Sequence, residues 1–194
     1  KKFLLEIIKK ATREFPKFLF TVRVNLFDAI SYPYGMGTKE LDSDGNPTII
    51  DLNELHQLLT QLQSNGIRLV SFTAGNPYYK PYLSRPFVQN AFNGLDAPEN
   101  ALNSIYRILS CLREISKSHT NLVSIGTALT WCRQFFPIVA AGEIQRNSFQ
   151  SIGYGRMAFA YPDFPIDLFK KGAIDPKKVC ITCSKCTELM RMDN

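Results

Sequence analysis

The strongest constraint on the fold is the order of the segments, because strand-like and helix-like patterns alternate along the chain. β-branched and aromatic stretches predict four strands, and patterns with apolar residues three and four positions apart predict the helices around them. Strict alternation is typical of parallel strands joined by right-handed crossovers. The predicted strands are 17–25, 67–73, 121–125 and 149–152, and the predicted helices are 1–14, 52–64, 98–118, 130–141 and 164–171.

Two α/β architectures are compatible with four such strands. They can form a small open sheet, or they can be half of an eight-stranded (β/α)8 barrel, the TIM-barrel fold. The predicted loops 28–48 and 75–93, which follow strands, are long and rich in Tyr, Pro and Gly, whereas the segments after the helices are short. This asymmetry is expected when function lies at the carboxyl ends of the strands.

The composition argues against several classes of protein. The 194 residues are 45% hydrophobic and 21% charged, which suits one domain with a sizeable core and not a disordered chain. The net charge is +6, but the basic residues are scattered and form no stripe for nucleic acid. No signal peptide is visible, and no apolar run approaches the roughly 20 residues that span a membrane.

The cysteines indicate the compartment. The chain has five, an odd number, without the spacing of a secreted disulfide framework, so we expect a reducing cytoplasm. The sequence opens without Met inside a helical pattern and stops soon after Cys186, so we also expect it to be a fragment of a larger protein.

Small residues follow the last two predicted strands. Gly126, Thr127 and Ala128 come after the third, and Gly155 and Arg156 come after the fourth. Backbone N–H groups of small residues can approach an anion closely, and a guanidinium pairs well with phosphate oxygens. In (β/α)8 enzymes a phosphate site often lies between the loops after strands seven and eight. The alternative is a pair of tight strand-to-helix turns.

An arginine occupies the middle of the first predicted strand. Arg23 lies between Val22 and Val24, and a charge among apolar neighbours in a parallel strand is costly unless it is paired. Three roles remain open for this residue. It can be exposed at a sheet edge, it can belong to a buried ion pair, or it can bind a ligand.

Three of the cysteines lie close together near the end of the sequence. Cys180, Cys183 and Cys186 are separated by two residues each, and thiolates suit zinc or an iron–sulfur cluster. Such sites normally need four ligands. His56 and His119 lie far upstream, where we expect surface or helix-end positions. Zinc, an iron–sulfur cluster and free thiols therefore all remain possible.

Together these motifs resemble the C-terminal half of an Old Yellow Enzyme-like NADH:flavin oxidoreductase. The most similar branch contains the iron–sulfur 2,4-dienoyl-CoA reductases and trimethylamine dehydrogenases. Residues 22–25 (Val-Arg-Val-Asn) resemble its fifth strand, and residues 75–79 and 84–87 resemble the loop after its sixth. Residues 125–128 resemble the phosphate loop of the seventh strand, where many relatives have glycine instead of Ala128. Residues 155–158 and 162–164 resemble the eighth strand's Gly-Arg motif and its tail, and 180–186 resembles the start of the cluster motif.

The resemblance implies a specific fold and cofactor. Residues 1–179 would be the C-terminal half of an FMN-binding (β/α)8 barrel with four βα units, and 180–194 would begin a cysteine-rich metal or cluster segment. Arg23 would contact the pyrimidine side of FMN. The phosphate would be bound by Gly126, Thr127, Ala128, Gly155 and Arg156, and a 4Fe-4S cluster in the intact protein would be bound partly by Cys180, Cys183 and Cys186.

The resemblance also implies an activity. The intact protein would pass a hydride from NADH or NADPH through FMN to a small electron-poor acceptor, with no nucleic-acid or membrane partner. The family's catalytic acid lies in the four strands that this sequence does not contain, so no catalytic residue is named. We expect the fragment to be inactive and to self-associate. The alternative is a non-catalytic phosphate-binding (β/α) module with a structural zinc knuckle.

Overall fold

A parallel four-stranded sheet organises the chain, whose computed structural model describes residues 2–89 and 96–190. Residue 1, part of the predicted loop 75–93 and part of the segment 180–194 lie outside the described residues. The strands are β1 (Thr21–Asn25), β2 (Thr38–Leu41), β3 (Pro47–Ile50), β4 (Leu69–Thr73), β5 (Val123–Gly126) and β6 (Ser151–Ile152). The helices are α1 (Lys2–Glu14), α2 (Asn53–Ser64), α3 (Pro81–Ser84), α4 (Ala101–Ser118), α5 (Phe136–Gln145), α6 (Arg156–Ala160), α7 (Phe164–Lys171) and α8 (Lys185–Leu189).

The strand order of the sheet follows the order of the chain. The sheet runs β1-β4-β5-β6, and every neighbouring pair is parallel, so the predicted α/β class is confirmed. All three crossovers step across the sheet in the same direction. Because such crossovers are right-handed, they place their helices on one face of the sheet. A doubly wound sheet would instead reverse its strand order at a switch point.

The two faces of the sheet differ in burial as this winding requires. Val24, Val70 and Phe72 share one face and are buried in the same apolar cluster as the helices. Residues on the other face are half-buried or exposed, and its apolar members do not belong to that cluster. This open face carries Thr21, Arg23, Asn25, Leu69, Ser71, Thr73, Val123, Ile125 and Ser151.

Helices α2 and α4 supply much of the layer that covers the buried face. Leu55, Leu59 and Leu62 recur four and three residues apart on α2 and are fully buried, and α4 buries Ile108 and Leu112 in the same way. Each such side chain contributes about 1.5–3 kcal/mol when it leaves water. The periodicity of these helices in the sequence therefore reflects the packing that stabilises the sheet.

The predicted helix 130–141 is wrong in its continuity. The structure has a 3₁₀ segment, Leu129–Phe135, followed by the separate helix α5. Arg133 breaks the helical backbone with a φ of 51°, and Pro137 occupies the first turn of α5. Proline lacks the N–H that a continuing helix would need, but it is well suited to a first helical turn.

The predicted loop 28–48 contains a β-hairpin that the sequence analysis missed. Strands β2 and β3 pair in antiparallel fashion. Asp42 begins the connecting turn, in which its carboxylate accepts the Asn46 backbone N–H at 2.7 Å and the Asn46 side chain at 3.0 Å. Tyr82 donates its hydroxyl to Asn46 Oδ1 at 2.7 Å, which joins the hairpin to the loop after β4.

The two histidines connect α2 to the end of α4. His56 Nδ1 lies 3.0 Å from His119 Nε2, and His119 Nδ1 lies 2.7 Å from Gln63 Oε1. With Nδ1 donating to Gln63, a neutral His119 can accept at Nε2 from His56. His119 directly follows α4, as predicted for a helix-end residue, but it is buried and not on the surface. Burial, and then the charge of His56, lowers the pKa of His119.

We predict that this histidine pair makes stability depend on pH. The unfolded chain takes up a proton at His119 near pH 6.5, whereas the folded chain resists it, so the stabilisation is complete above about pH 6.5 and is lost as the pH falls below it. Urea unfolding between pH 7.5 and 5.5 measures this decline. His119→Gln should flatten the decline, and an unchanged slope in that variant would contradict the assignment.

Candidate functional site

A cleft of about 770 Å³ opens at the carboxyl ends of β1 and β4, on the open face of the sheet. Its floor includes Arg23 and Asn25 from β1 and Thr73 from β4, and its walls come from the loops that follow these strands. This volume falls within the range of about 300–1,000 Å³ that is common for small-molecule sites. The cleft therefore lies where the asymmetry of the loops predicted function.

A network of polar groups fixes the wall that follows β1. Asn25 donates through Nδ2 to Asp28 Oδ1 at 2.6 Å and to the Gly75 carbonyl at 3.2 Å. The other carboxylate oxygen of Asp28 accepts the Met36 N–H at 2.8 Å. Asn25 therefore joins the end of β1 to the loop after β4, and Asp28 fixes the loop after β1.

Arg23 lies in the cleft on an edge strand. Its backbone pairs with Ser71 of β4, and its side chain is exposed. Of the three roles left open by the sequence, the buried ion pair does not fit this exposure. The remaining roles are compatible, because a residue on an edge strand can also face a ligand in the cleft. No acceptor within the described residues is bonded to its guanidinium.

The two predicted phosphate turns are adjacent in space. Gly126 of β5 pairs with Ile152 of β6, and the Gly153 N–H donates to the Gly126 carbonyl at 2.9 Å. Ala128 has a φ of 76°, a left-handed backbone conformation that favours glycine, so the residue at which this chain departs from many relatives keeps a glycine-like geometry. Thr127, between Gly126 and Ala128 in the sequence, is half-buried.

The two glycines of these turns have different surroundings. A Cβ on Gly126 would lie 2.6 Å from Cδ1 of Phe149, so this position is small because an aromatic ring packs against it. A Cβ on Gly155 would meet no atom within 4 Å. Gly126 is therefore a packing position, whereas Gly155 leaves open space beside the strand end.

Arg156 begins α6, and its Nη1 is buried without a hydrogen-bond partner among the described residues. Burial lowers the pKa of Arg156, and the positive charge of Arg85 lowers it further, while Cys180, Cys183 and Cys186 act in the opposite direction. The structure thus brings Arg156 near both the cleft residue Arg85 and the cysteine segment.

Arg85 is a candidate site residue that the sequence analysis did not select. It lines the cleft with Arg23, and its Nη1 donates to Thr187 Oγ1 at 3.2 Å, next to Cys186 in the sequence. It therefore connects the loop after β4 with the cysteine segment. The available signal was an arginine before a proline in a loop that follows a strand, which is too general to distinguish this residue from other loop arginines.

In its described part, residues 180–190, the cysteine segment does not by itself form a metal site. All five cysteines are free, and the Thr182 N–H donates to Cys180 Sγ at 3.4 Å. Among residues 2–89 and 96–190, no three His, Cys, Asp or Glu side chains are grouped so that they could hold a metal ion. Cys180, Cys183 and Cys186 are all partly exposed, and Arg156 is near them.

Comparison with known proteins gives no relative: no family model, no curated protein and no solved structure matches this chain. In the described part of the chain, no helix combines the length and apolar character needed to cross a membrane.

The different environments of the two glycines give a prediction about stability. Gly126→Ala should destabilise the fold by about 1–3 kcal/mol, because the new methyl group collides with the buried ring of Phe149. Gly155→Ala is the matched control and should change stability little, since its Cβ enters open space. Urea unfolding of both variants measures the difference. An equal loss of stability in the two variants would mean that the packing of Phe149 does not limit the size of the residue at position 126.

Proposed function

We propose that this chain is the C-terminal half of a (β/α)8 barrel. A sheet that is wound in one direction and covered on one face supports this proposal, because a closed barrel buries its inner face with side chains from the remaining strands. Leu69 and Ile125, which are half-buried on the open face, and Val123, which is exposed there, would then fill the interior of the barrel. A small open sheet with one uncovered face is the less favourable arrangement for parallel strands.

We further propose that the intact protein is an FMN-dependent NAD(P)H:flavin oxidoreductase of the ene-reductase type. The observation that carries this proposal is the basic cleft at the strand ends, with the unpaired guanidinium nitrogen of Arg156 behind it. A buried charged donor without an acceptor is unfavourable, so a phosphate there would fit this chain well. The resemblance of the strand-end motifs to the flavin family selects FMN among phosphate-bearing ligands.

Each proposed residue has a distinct part in binding. Arg23 would stabilise negative charge at the pyrimidine edge of the isoalloxazine ring, where its exposed guanidinium reaches the cleft. Thr127, Ala128, Gly155 and Arg156 would bind the phosphate, while Gly126 would shape the turn by its packing against Phe149. When bound, FMN would supply the hydride-transfer chemistry, and these residues would orient it and tune its charge.

We predict that the intact protein purifies yellow and that Arg156→Ala weakens its FMN affinity by about 10- to 100-fold, as expected for a lost charge-assisted hydrogen bond. Fluorescence titration with FMN measures this loss, and Arg146→Ala, which removes an arginine outside the cleft, is the control. The 194-residue chain alone should bind FMN weakly, because it supplies the contacts on one side of the ring. Full-length protein that is colourless and takes up no FMN would refute the oxidoreductase.

The alternative function is a non-catalytic phosphate-binding (β/α) module with a structural zinc knuckle. Its supporting observation is the cysteine segment beside Arg156, which could stabilise the end of a barrel without any redox role. Such a protein would bind phosphate compounds but would show no preference for FMN over other phosphate esters.

We propose that Cys180, Cys183 and Cys186 are three of the four ligands of a 4Fe-4S cluster in the intact protein. The hydrogen bond from the Thr182 N–H to Cys180 Sγ suits a thiolate ligand. The described residues alone do not complete a metal site.

Metal analysis of anaerobically purified full-length protein decides between iron and zinc. We predict about four iron and four sulfide per chain, and loss of both when Cys183 is changed to Ser. Cys111→Ser is the matched control, because Cys111 is a buried core residue of α4. One zinc per chain without iron would establish the knuckle instead.

A further inference from the structure

Arg85 is the arginine of the cleft to which the family resemblance gives no role. It follows α3 in the loop after β4, and its side chain lines the cleft. Although the residue as a whole is only half-buried, its Nε is inaccessible and has no acceptor among the described residues. A buried N–H of a charged group without a partner is unfavourable, so its presence calls for an explanation.

The surroundings of Arg85 concentrate positive charge. Its Nη1 donates to the neutral hydroxyl of Thr187 at 3.2 Å, which leaves the charge uncompensated. After burial, the charge of Arg85 also lowers the pKa of Arg156, and Arg156 has its own unpaired Nη1. Neither guanidinium is paired with a carboxylate in the part of the chain that the structure describes.

Asp28 does not neutralise this charge by direct pairing. It is the carboxylate that lines the cleft, but its oxygens accept from Asn25 and from the Met36 N–H. Cys180, Cys183 and Cys186 also lie near Arg156. Two like charges with unused donors, next to a cleft, form an arrangement that an anion would stabilise.

We propose that Arg85, together with Arg156, binds an oxyanion, namely a phosphate or carboxylate group of the ligand that enters the cleft. The planar guanidinium fork matches two oxygens of such a group, whereas it has no comparable fit to a spherical ion such as chloride. The inference rests on the proposed function for the identity of the ligand. The anion site itself rests on the place of Arg85 in the cleft and on the buried, unpaired nitrogens of the two guanidinium groups.

Inorganic phosphate is the first probe, added to the chain at constant ionic strength with chloride as the balancing ion. We expect phosphate to raise the unfolding temperature, and Arg85→Ala to weaken its apparent affinity at least about tenfold. Arg85→Gln, which keeps a polar side chain but removes the charge, should weaken it similarly if Arg85→Ala fails to fold. Arg68→Ala is the control, because Arg68 is exposed and bonded to the Gln63 carbonyl.

Two further titrations distinguish the source of the oxyanion. If Arg85→Gln weakens binding of FMN but not of riboflavin, the oxyanion is the cofactor's phosphate. If it weakens phosphate or succinate binding to protein saturated with FMN, the oxyanion belongs to the substrate. Phosphate binding that depends on Arg85 in a protein that binds no flavin would refute the proposed function and keep the anion site. Phosphate affinity that is the same in Arg85→Gln and Arg68→Ala overturns the inference.

Discussion

The packing of one sheet face against the helices determines the rest of this structure. Val24, Val70 and Phe72 bury that face beneath the leucines and isoleucines of α2 and α4. Because the helices all lie on this side, the chain can add each new strand only at the same edge of the growing sheet. The strands therefore end side by side in sequence order. Loops that are far apart in the chain, such as those after β1 and β4, meet above them and form the cleft.

Among the residues that the structure describes, the same winding leaves the other face of the sheet without a covering layer. Parallel sheets are almost always covered on both faces, yet here the uncovered face combines Ser and Thr with Leu69, Val123 and Ile125. β1 and β6 are also outer strands in the described part of the chain, and unpaired strand edges tend to associate. Further strands on these edges would pair the exposed strand edges and also help to cover the open face. A barrel does this most directly, since its interior is filled by the side chains of its own strands.

The sequence predicted the elements whose own periodicity matches their burial. Helices α1, α2, α4 and α7 and the four sheet strands lie where the apolar patterns placed them, with ends that differ by a few residues. The hairpin of β2 and β3 was missed because four-residue strands carry too little pattern, and its position depends on the bond from Tyr82 to Asn46, 36 residues away.

The sequence correctly placed Arg23, Gly126 and Arg156 at strands and strand ends. It could not show that position 126 is small because the ring of Phe149 packs against it. Arg85 was missed since its importance depends on Thr187 and Arg156, which are distant in sequence.

The electrostatics of the strand ends differ from those of the helix layer. Behind the sheet, the buried carboxylate of Glu143 accepts from Arg113 at 2.5 and 2.9 Å and from Ser148 at 2.7 Å, so its charge is compensated and its pKa is lowered by Arg113 first. Arg85 in the cleft and the nearby Arg156 have no such partner within the described residues. The buried charge in the helix layer is fully paired, whereas the charges at the strand ends are not. The strand ends therefore have a local excess of free energy. Since an anion would relieve that excess, the helix layer supplies the stability that allows the strand ends to remain prepared for binding.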